Sequence, residues 1–350
     1  MLECQQFIIA VMEPPSVIRE IVLDLGRGFY IIWGMAAVPD DNSVDLTEVL
    51  RSNLRRLWQE LSNLNAIGDF VNLEGGGVEQ HRDLRLRFHH CANYAAALTI
   101  FAEERRPLRV LELGCGSGAL SFAFARVMPS DWTLIATDYS RQLIDYAQSI
   151  RARDNLMFRY VDIRDFDEQI LAGVDGVMFL EVIEHLKPAV ARDLLQRLHR
   201  GLKPHGLVII STLDRSPFRR RFSGYHPHQV EYRYETLLAF LSKRENNPFA
   251  DFQILRLLST RVIRAAVRAE EFGGYFINRL IGLFRNLAAR QPRVNRYQRK
   301  LLPLLFWVYG FLPAKRDFDL EGHLADLHLL SHAADVSNSF SLVAVLRKGE

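Results

Sequence analysis

From Arg109 onward, short apolar runs alternate with stretches of helical periodicity. Arg109–Leu113, Trp132–Thr137, Leu156–Val161, Gly176–Leu180 and Leu207–Ser211 read as buried strands. Ala119–Val127, Ser140–Ile150 and Pro188–Arg200 read as helices between them, the second with a stripe of Leu143, Ile144, Ala147 and Ile150. Strand and helix in repeated alternation predict βαβ units, and so a parallel sheet covered on both faces. Phe252–Leu258 and Phe340–Leu346 read as two further strands.

The ends of this pattern are less regular. Pro14-Pro15 and Pro39-Asp40-Asp41-Asn42 break the first part of the chain. Asp45 and Glu48 form a capping box for a helix through Leu50, Leu54, Leu57 and Leu61. Gly75-Gly76-Gly77 marks a joint before a second helix, from about His81 to Glu104. Residues 1–80 are therefore expected to be an N-terminal helical extension. The gap between the last two strands is far longer than a loop, so a folded insertion over 261–335 is expected. Phe276, Ile277, Leu280, Ile281, Phe284 and Leu287 line one helical face there, with Arg279, Arg285 and Arg290 opposite. From Arg261 to Arg316 there are twelve Lys and Arg against Glu270 and Glu271, so the insertion is basic. The main domain is expected over 81–260 and 336–350.

Composition excludes several classes. With 49% apolar and 24% charged residues the chain as a whole is neither disordered nor fibrous. A net charge of +3 favours no polyanionic partner, which leaves only local clusters to argue for one. Cys4, Cys91 and Cys115 make no disulfide framework and no CxxC zinc pair, in keeping with a cytoplasmic protein. The N-terminus carries Glu3 where a signal peptide would be positive, and Leu301–Pro313 falls short of the roughly 20 residues that span a bilayer.

The first strand runs into Glu112-Leu113-Gly114-Cys115-Gly116-Ser117-Gly118, and a helix opens directly after it. Glycines there let the backbone turn tightly and let a ligand come close. Asp138, at the end of the next strand, can accept hydrogen bonds from both hydroxyls of a ribose. Two ligands suit such a site. Gly114, Gly116 and Ala119 satisfy the dinucleotide pattern G-x-G-x-x-A. Glu112 instead favours S-adenosylmethionine, because a carboxylate suits an ammonium and a sulfonium better than a pyrophosphate.

These residues resemble the first motif of the class I S-adenosylmethionine-dependent methyltransferases, E/D-x-G-x-G-x-G, through Glu112, Gly114, Gly116 and Gly118. The resemblance runs from Arg109 to Lys348. It implies that Asp138 holds the ribose and that Asp162, in Tyr160-Val161-Asp162-Ile163, contacts the adenine amino group. Phe179–Leu186 resembles the family's fourth-strand segment, and Leu202-Lys203-Pro204-His205-Gly206 its L-K-P-G-G turn with a histidine for one glycine. Phe340–Val345 looks like its final antiparallel strand. The implied fold is α/β, a Rossmann-like seven-stranded sheet, mostly parallel, with an antiparallel last strand.

Glu181-Val182-Ile183-Glu184-His185 follows the fourth of these strands. On a helical turn Glu181, Glu184 and His185 would share one face. The string resembles the ubiquinone-biosynthesis O-methyltransferases, which share a segment like Ser211–Pro217. It also resembles the small-RNA 3′-terminal 2′-O-methyltransferases, where E-x-x-E-H and a later histidine hold a divalent metal; His228 lies near that position. Two roles follow as alternatives. Glu181, Glu184, His185 and His228 hold a divalent metal, or Glu181, His185 and His228 serve acceptor activation, with an imidazole taking the proton.

Arg219-Arg220-Arg221, flanked by Phe218 and Phe222, suits phosphates or simply a solvated turn. The basic insertion adjoins the aromatic run Leu301–Tyr309, which reads as a substrate lid or as a peripheral membrane contact through 261–316. The expected activity is O-methylation of a small organic acceptor, lipid-linked or quinone-like. The alternatives are metal-dependent RNA 2′-O-methylation and a non-catalytic scaffold of the same fold. No DNA partner is expected, since the N/D-P-P-Y tetrapeptide of base amino-methylases is absent.

Overall fold

A computed structural model describes residues 18–24, 29–35, 46–66, 84–165, 167–217, 228–264, 318–331 and 337–350. The chain divides into two compact units, Met1–Asp45 and Leu46–Glu350. The first contains an antiparallel hairpin of β1 (Ile18–Asp24) and β2 (Phe29–Met35), with Ile18 opposite Met35 and Asp24 opposite Phe29. This corrects the expectation of a wholly helical extension over 1–80. Ile18, Ile21 and Val22, then Phe29 to Trp33, are β-branched and aromatic residues that favour a pleated strand over a helix.

In the second unit the helix predicted through Leu50, Leu54, Leu57 and Leu61 is α1 (Leu46–Ala66), and all four leucines are fully buried. Each contributes about 1.5–3 kcal/mol by leaving water. The next helix, α2 (Leu84–Ala102), has every residue from Arg87 to Phe101 buried except His90. A helix buried on all sides needs packing partners on all sides. It has them in α1 and in the strands β6, β7 and β10 defined below.

The sheet among the described residues has eight strands in the order β5-β4-β3-β6-β7-β10-β8-β9. They are β3 (Arg109–Leu113), β4 (Thr133–Asp138), β5 (Leu156–Tyr160), β6 (Gly176–Leu180), β7 (Leu207–Leu213), β8 (Asp251–Leu258), β9 (His328–Leu330) and β10 (Ser339–Arg347). The ladders from β5 through β7 are parallel. The C-terminal strand β10 enters antiparallel between β7 and β8, and β9 is antiparallel to β8. The fold is thus the expected Rossmann-like α/β sheet with one strand more than the seven predicted. The added strand, β9, is only three residues long, too short to show an alternation in sequence, and falls inside the stretch read as an insertion.

Helices α3 (Ala119–Val127), α4 (Arg141–Arg151), α5 (Pro188–Gly201), α6 (Tyr234–Leu241) and the short α7 (Leu320–Ala325) complete this unit among the described residues. Two apolar cores lie on opposite faces of the sheet. One gathers α1 to α4, and the other gathers α5 and α6 through Leu194, Leu195, Leu198, Leu237 and Leu241. The strand order reverses at β3, which places a crevice beyond the carboxyl ends of β3 and β6, where ligands of open α/β sheets bind. Among the described residues no helix is long and apolar enough to cross a membrane. Asp45, Gly75–Gly77, Phe218–Phe222 and most of the basic insertion, with Leu301–Tyr309, lie outside the described residues.

Candidate functional site

The turn from β3 into α3 is built on three left-handed glycines, with φ of +88° at Gly114, +56° at Gly116 and +77° at Gly118. A side chain at Gly114 would also place its Cβ 2.6 Å from a Val182 methyl. At Gly116 nothing lies within 4 Å, so its conformation alone demands glycine and the space beside it is open. The turn is tied to β4, because the N–H groups of Gly114 and Cys115 both donate to the Thr137 carbonyl, at 2.7 and 2.8 Å.

Asp138 braces the same turn. Its Oδ2 accepts the Gly116 N–H at 2.9 Å and its Oδ1 accepts the Ser140 N–H at 2.8 Å. Burial raises its carboxyl above the ordinary aspartate value, against the pull of those N–H groups and that of Tyr139. Glu112 is 1% exposed at the end of β3. Its Oε1 accepts the Tyr94 hydroxyl, while its Oε2 is buried with no hydrogen-bond partner. Burial pushes this carboxyl up to about 7. Asp162 follows β5, just after Val161, whose N–H donates to the Asp138 carbonyl. Its carboxylate is held by the Arg164 guanidinium, which lowers its pKa.

The Glu181–His185 pentapeptide does not form one helical face. Glu181 has φ +57°, and only Ile183–His185 forms a single 3-10 turn. Glu181 faces α2: its Oε1 accepts Asn93 Nδ2 at 3.0 Å and the Ser211 hydroxyl at 3.3 Å, and its Oε2 lies 3.3 Å from His89 Nε2. Burial works to raise its pKa, yet His89 carries it below the usual glutamate range. Asn93 is fixed in turn by the Ser341 hydroxyl, which donates to its Oδ1 at 2.7 Å.

Glu184 takes the other direction. It is 1% exposed, accepts the Thr212 hydroxyl at 3.0 Å, and is raised well above the ordinary value by burial and by the charge of Glu181. Its backbone carbonyl accepts the N–H groups of Gln229 and Val230, which carries His228 beside His185 with ring centroids 4.8 Å apart. One ligand atom each from Glu184, His185 and His228 lies within 4.8 Å of the others. Two imidazoles and a carboxylate make a donor set suited to zinc or a similar divalent ion. Glu181, expected as a fourth ligand, is not in this group, because its left-handed backbone turns it to α2.

His89, Asn93 and Tyr94 escaped the sequence reading. A partial signal was present: His89 and Asn93, at i and i+4, share one face of a helix rich in apolar residues.

Residues 110–206 match the family model described as a methyltransferase domain. The chain carries a class I methyltransferase domain. The biotin biosynthesis bifunctional protein BioCD of Bordetella avium is 37% identical over 137 residues, 37% of this chain and 27% of that protein. The ubiquinone biosynthesis O-methyltransferase of Xanthomonas campestris pv. campestris is 31% identical over 111 residues, 31% of this chain and 44% of that protein. The chain therefore spans less than half the length of these curated relatives. A solved structure of phospholethanolamine N-methyltransferase 2 from Haemonchus contortus is 17% identical, over 73% of this chain and 53% of that one, at a TM-score of 0.43. Helix α2 precedes the matched methyltransferase domain and His228 follows it, so flanking segments contribute to both sides of the site.

Proposed function

We propose that the chain is an S-adenosylmethionine-dependent methyltransferase acting on an oxygen of a small organic acceptor. The observation that carries this reading is the glycine turn braced by Asp138, with open space at Gly116. When bound, the cofactor supplies a methyl group on a sulfonium. Asp138 keeps a lone-pair site free for a ribose hydroxyl, since its two oxygens share three backbone N–H groups, from Gly116, Ser140 and Tyr139. The buried Glu112 Oε2 suits an ammonium group, and Gly116 keeps the approach free of a side chain, while Gly114 and Gly118 let the turn pack against Val182 and Phe158. Asp162 suits the adenine amino group once Arg164 yields one carboxylate oxygen.

Such a transfer asks little covalent chemistry of the protein beyond orientation, a dry site and a place for the acceptor's proton. His185 and His228 are the imidazoles on the Glu184 side that can take the acceptor's proton. Glu181 orients from the α2 side. An oxygen acceptor agrees with the name of the Xanthomonas relative. The convergence of Glu184, His185 and His228 favours a second reading, in which these residues hold a divalent metal and the acceptor is a ribose hydroxyl of RNA.

The test is transfer of labelled methyl from S-adenosylmethionine into fractionated host extract, with and without a chelator. Label in small molecules or lipid, indifferent to the chelator, is expected. Label in RNA that the chelator abolishes would overturn the first reading for the second.

A further inference from the structure

Glu112 and Tyr94 form a pair that nothing in the methyl transfer itself requires. The carboxyl is 1% exposed, and the Tyr94 hydroxyl from α2 donates to its Oε1. Its Oε2 is just as buried and makes no direct hydrogen bond, although the Ser121 hydroxyl lies near enough to favour the anion. An ionised carboxylate with one oxygen bare in a low-dielectric site is costly, whereas the acid form is tolerated there. The titratable groups that face it are Tyr94 from α2, Cys115 from the turn and Asp138 from β4, with the Ser121 hydroxyl from α3. Asp138 acts to keep Glu112 neutral, since two carboxylates at close quarters resist joint ionisation. A ligand cation reverses this balance by giving Oε2 the charged hydrogen bond it lacks.

We propose that cofactor binding expels a proton from Glu112, which is held as the acid beneath Tyr94 until the ammonium group of the ligand takes Oε2. The inference rests on the S-adenosylmethionine reading above. The balance is simple. The carboxyl O–H bond breaks, its proton passes to the solvent, and the ammonium keeps its own proton and pairs with the carboxylate. No electrons change hands. Cofactor affinity is then linked to pH through one group, and the Ser121 and Tyr94 hydroxyls help set where on the pH scale this linkage falls, because both stabilise the anion.

The experiment is calorimetry of the full chain with S-adenosylhomocysteine, in buffers of different ionisation enthalpy between pH 6 and 8. With a free-state midpoint about 7, roughly nine-tenths of a proton is released per ligand at pH 6 and roughly a tenth at pH 8. Affinity rises about tenfold over the same span. E112Q binds more weakly and releases no proton. Y94F keeps the release but moves its curve to higher pH. Tight binding by the parent protein with no proton released at pH 6 would overturn the inference and leave the cofactor reading intact. Release that persists in E112Q would assign the proton to another group and equally overturn it. No binding by the parent protein at all would remove the cofactor reading, and the inference with it.

Discussion

Ser211 and Thr212 stand next to each other on β7, and their hydroxyls hold different glutamates of one pentapeptide. Ser211 donates to Glu181 and Thr212 to Glu184. Successive side chains on a strand point to opposite faces. The two carboxylates are therefore anchored by neighbouring strand positions, Glu181 toward His89 and Asn93 of α2 and Glu184 toward His185 and His228, yet they stay close enough for the charge of Glu181 to raise Glu184. The site has two polar flanks that meet at the end of β6, where Glu181 and Glu184 adjoin, and only the second flank brings three possible ligands together.

Asp138→Ala removes a ribose acceptor and leaves the N–H groups of Gly116 and Ser140 without partners. Loss of hydrogen bonds to a charged group of about 1.5–3 kcal/mol corresponds to a ten- to hundredfold loss of cofactor affinity. Equilibrium binding of S-adenosylhomocysteine measures it. Affinity close to that of the parent protein would remove Asp138 from the cofactor site.

Gly114→Ala introduces a Cβ 2.6 Å from a Val182 methyl at a residue with φ +88°. Both the clash and the backbone conformation oppose it, so a lower melting temperature and weak cofactor binding are expected. Adding Val182→Ala relieves the clash alone, and the double variant should recover part of the melting temperature. Failure to recover any would place the whole penalty in the backbone.

Asp175 links β3, β6 and the turn before β7. It accepts the Arg109 N–H at 2.9 Å and pairs with Arg106 at 2.8 Å and Lys203 at 2.9 Å. Burial raises its pKa, but these partners outweigh burial and leave the carboxyl below the ordinary value of 3.8. A carboxyl lowered on folding contributes stability above its unfolded pKa, and that contribution is lost as pH falls through the folded one. Asp175→Asn should cost about 1–2 kcal/mol at neutral pH. The difference from the parent protein should shrink as pH drops below about 4. Denaturant melts across that range check it; a constant difference down to pH 2 would contradict it.

His228→Asn tests the Glu184 side. With the histidine as proton acceptor, methyl transfer falls about hundredfold while cofactor affinity stays within about twofold. If the loss is reproduced by a chelator and reversed in the parent protein by added zinc, the cluster is a metal site.

Leu57→Ala probes α1, which precedes the matched domain. Leu57 is fully buried in the same core as α2 and α3, so a loss of about 2–5 kcal/mol in one cooperative transition is expected. A separate early transition for α1 would show that it folds apart from the sheet.

Much of this architecture was legible in the chain. Strands such as Gly176–Leu180, buried at every position, announce themselves as continuous apolar runs. The glycine turn was equally plain, since strand, turn and helix follow one another directly. What local pattern concealed was pairing at a distance. Asn93 reaches Glu181 across 88 residues, and Ser341 reaches Asn93 across 248. The pentapeptide misled for a different reason. Helical spacing assumes right-handed backbone throughout, and Glu181 is left-handed.

The place of β10 has a consequence for the order in which the molecule can be made. The ladder partner that joins β8 to β7 is the segment Ser339–Arg347, which is synthesised after every other strand of this sheet. The five parallel strands can assemble while synthesis continues, but β8 has no route into the sheet until β10 arrives. The Glu181 flank waits as well, because Asn93 is oriented by Ser341. A nascent chain arrested before Ser339 would thus hold the glycine turn without a finished acceptor side, with the sheet open at β7.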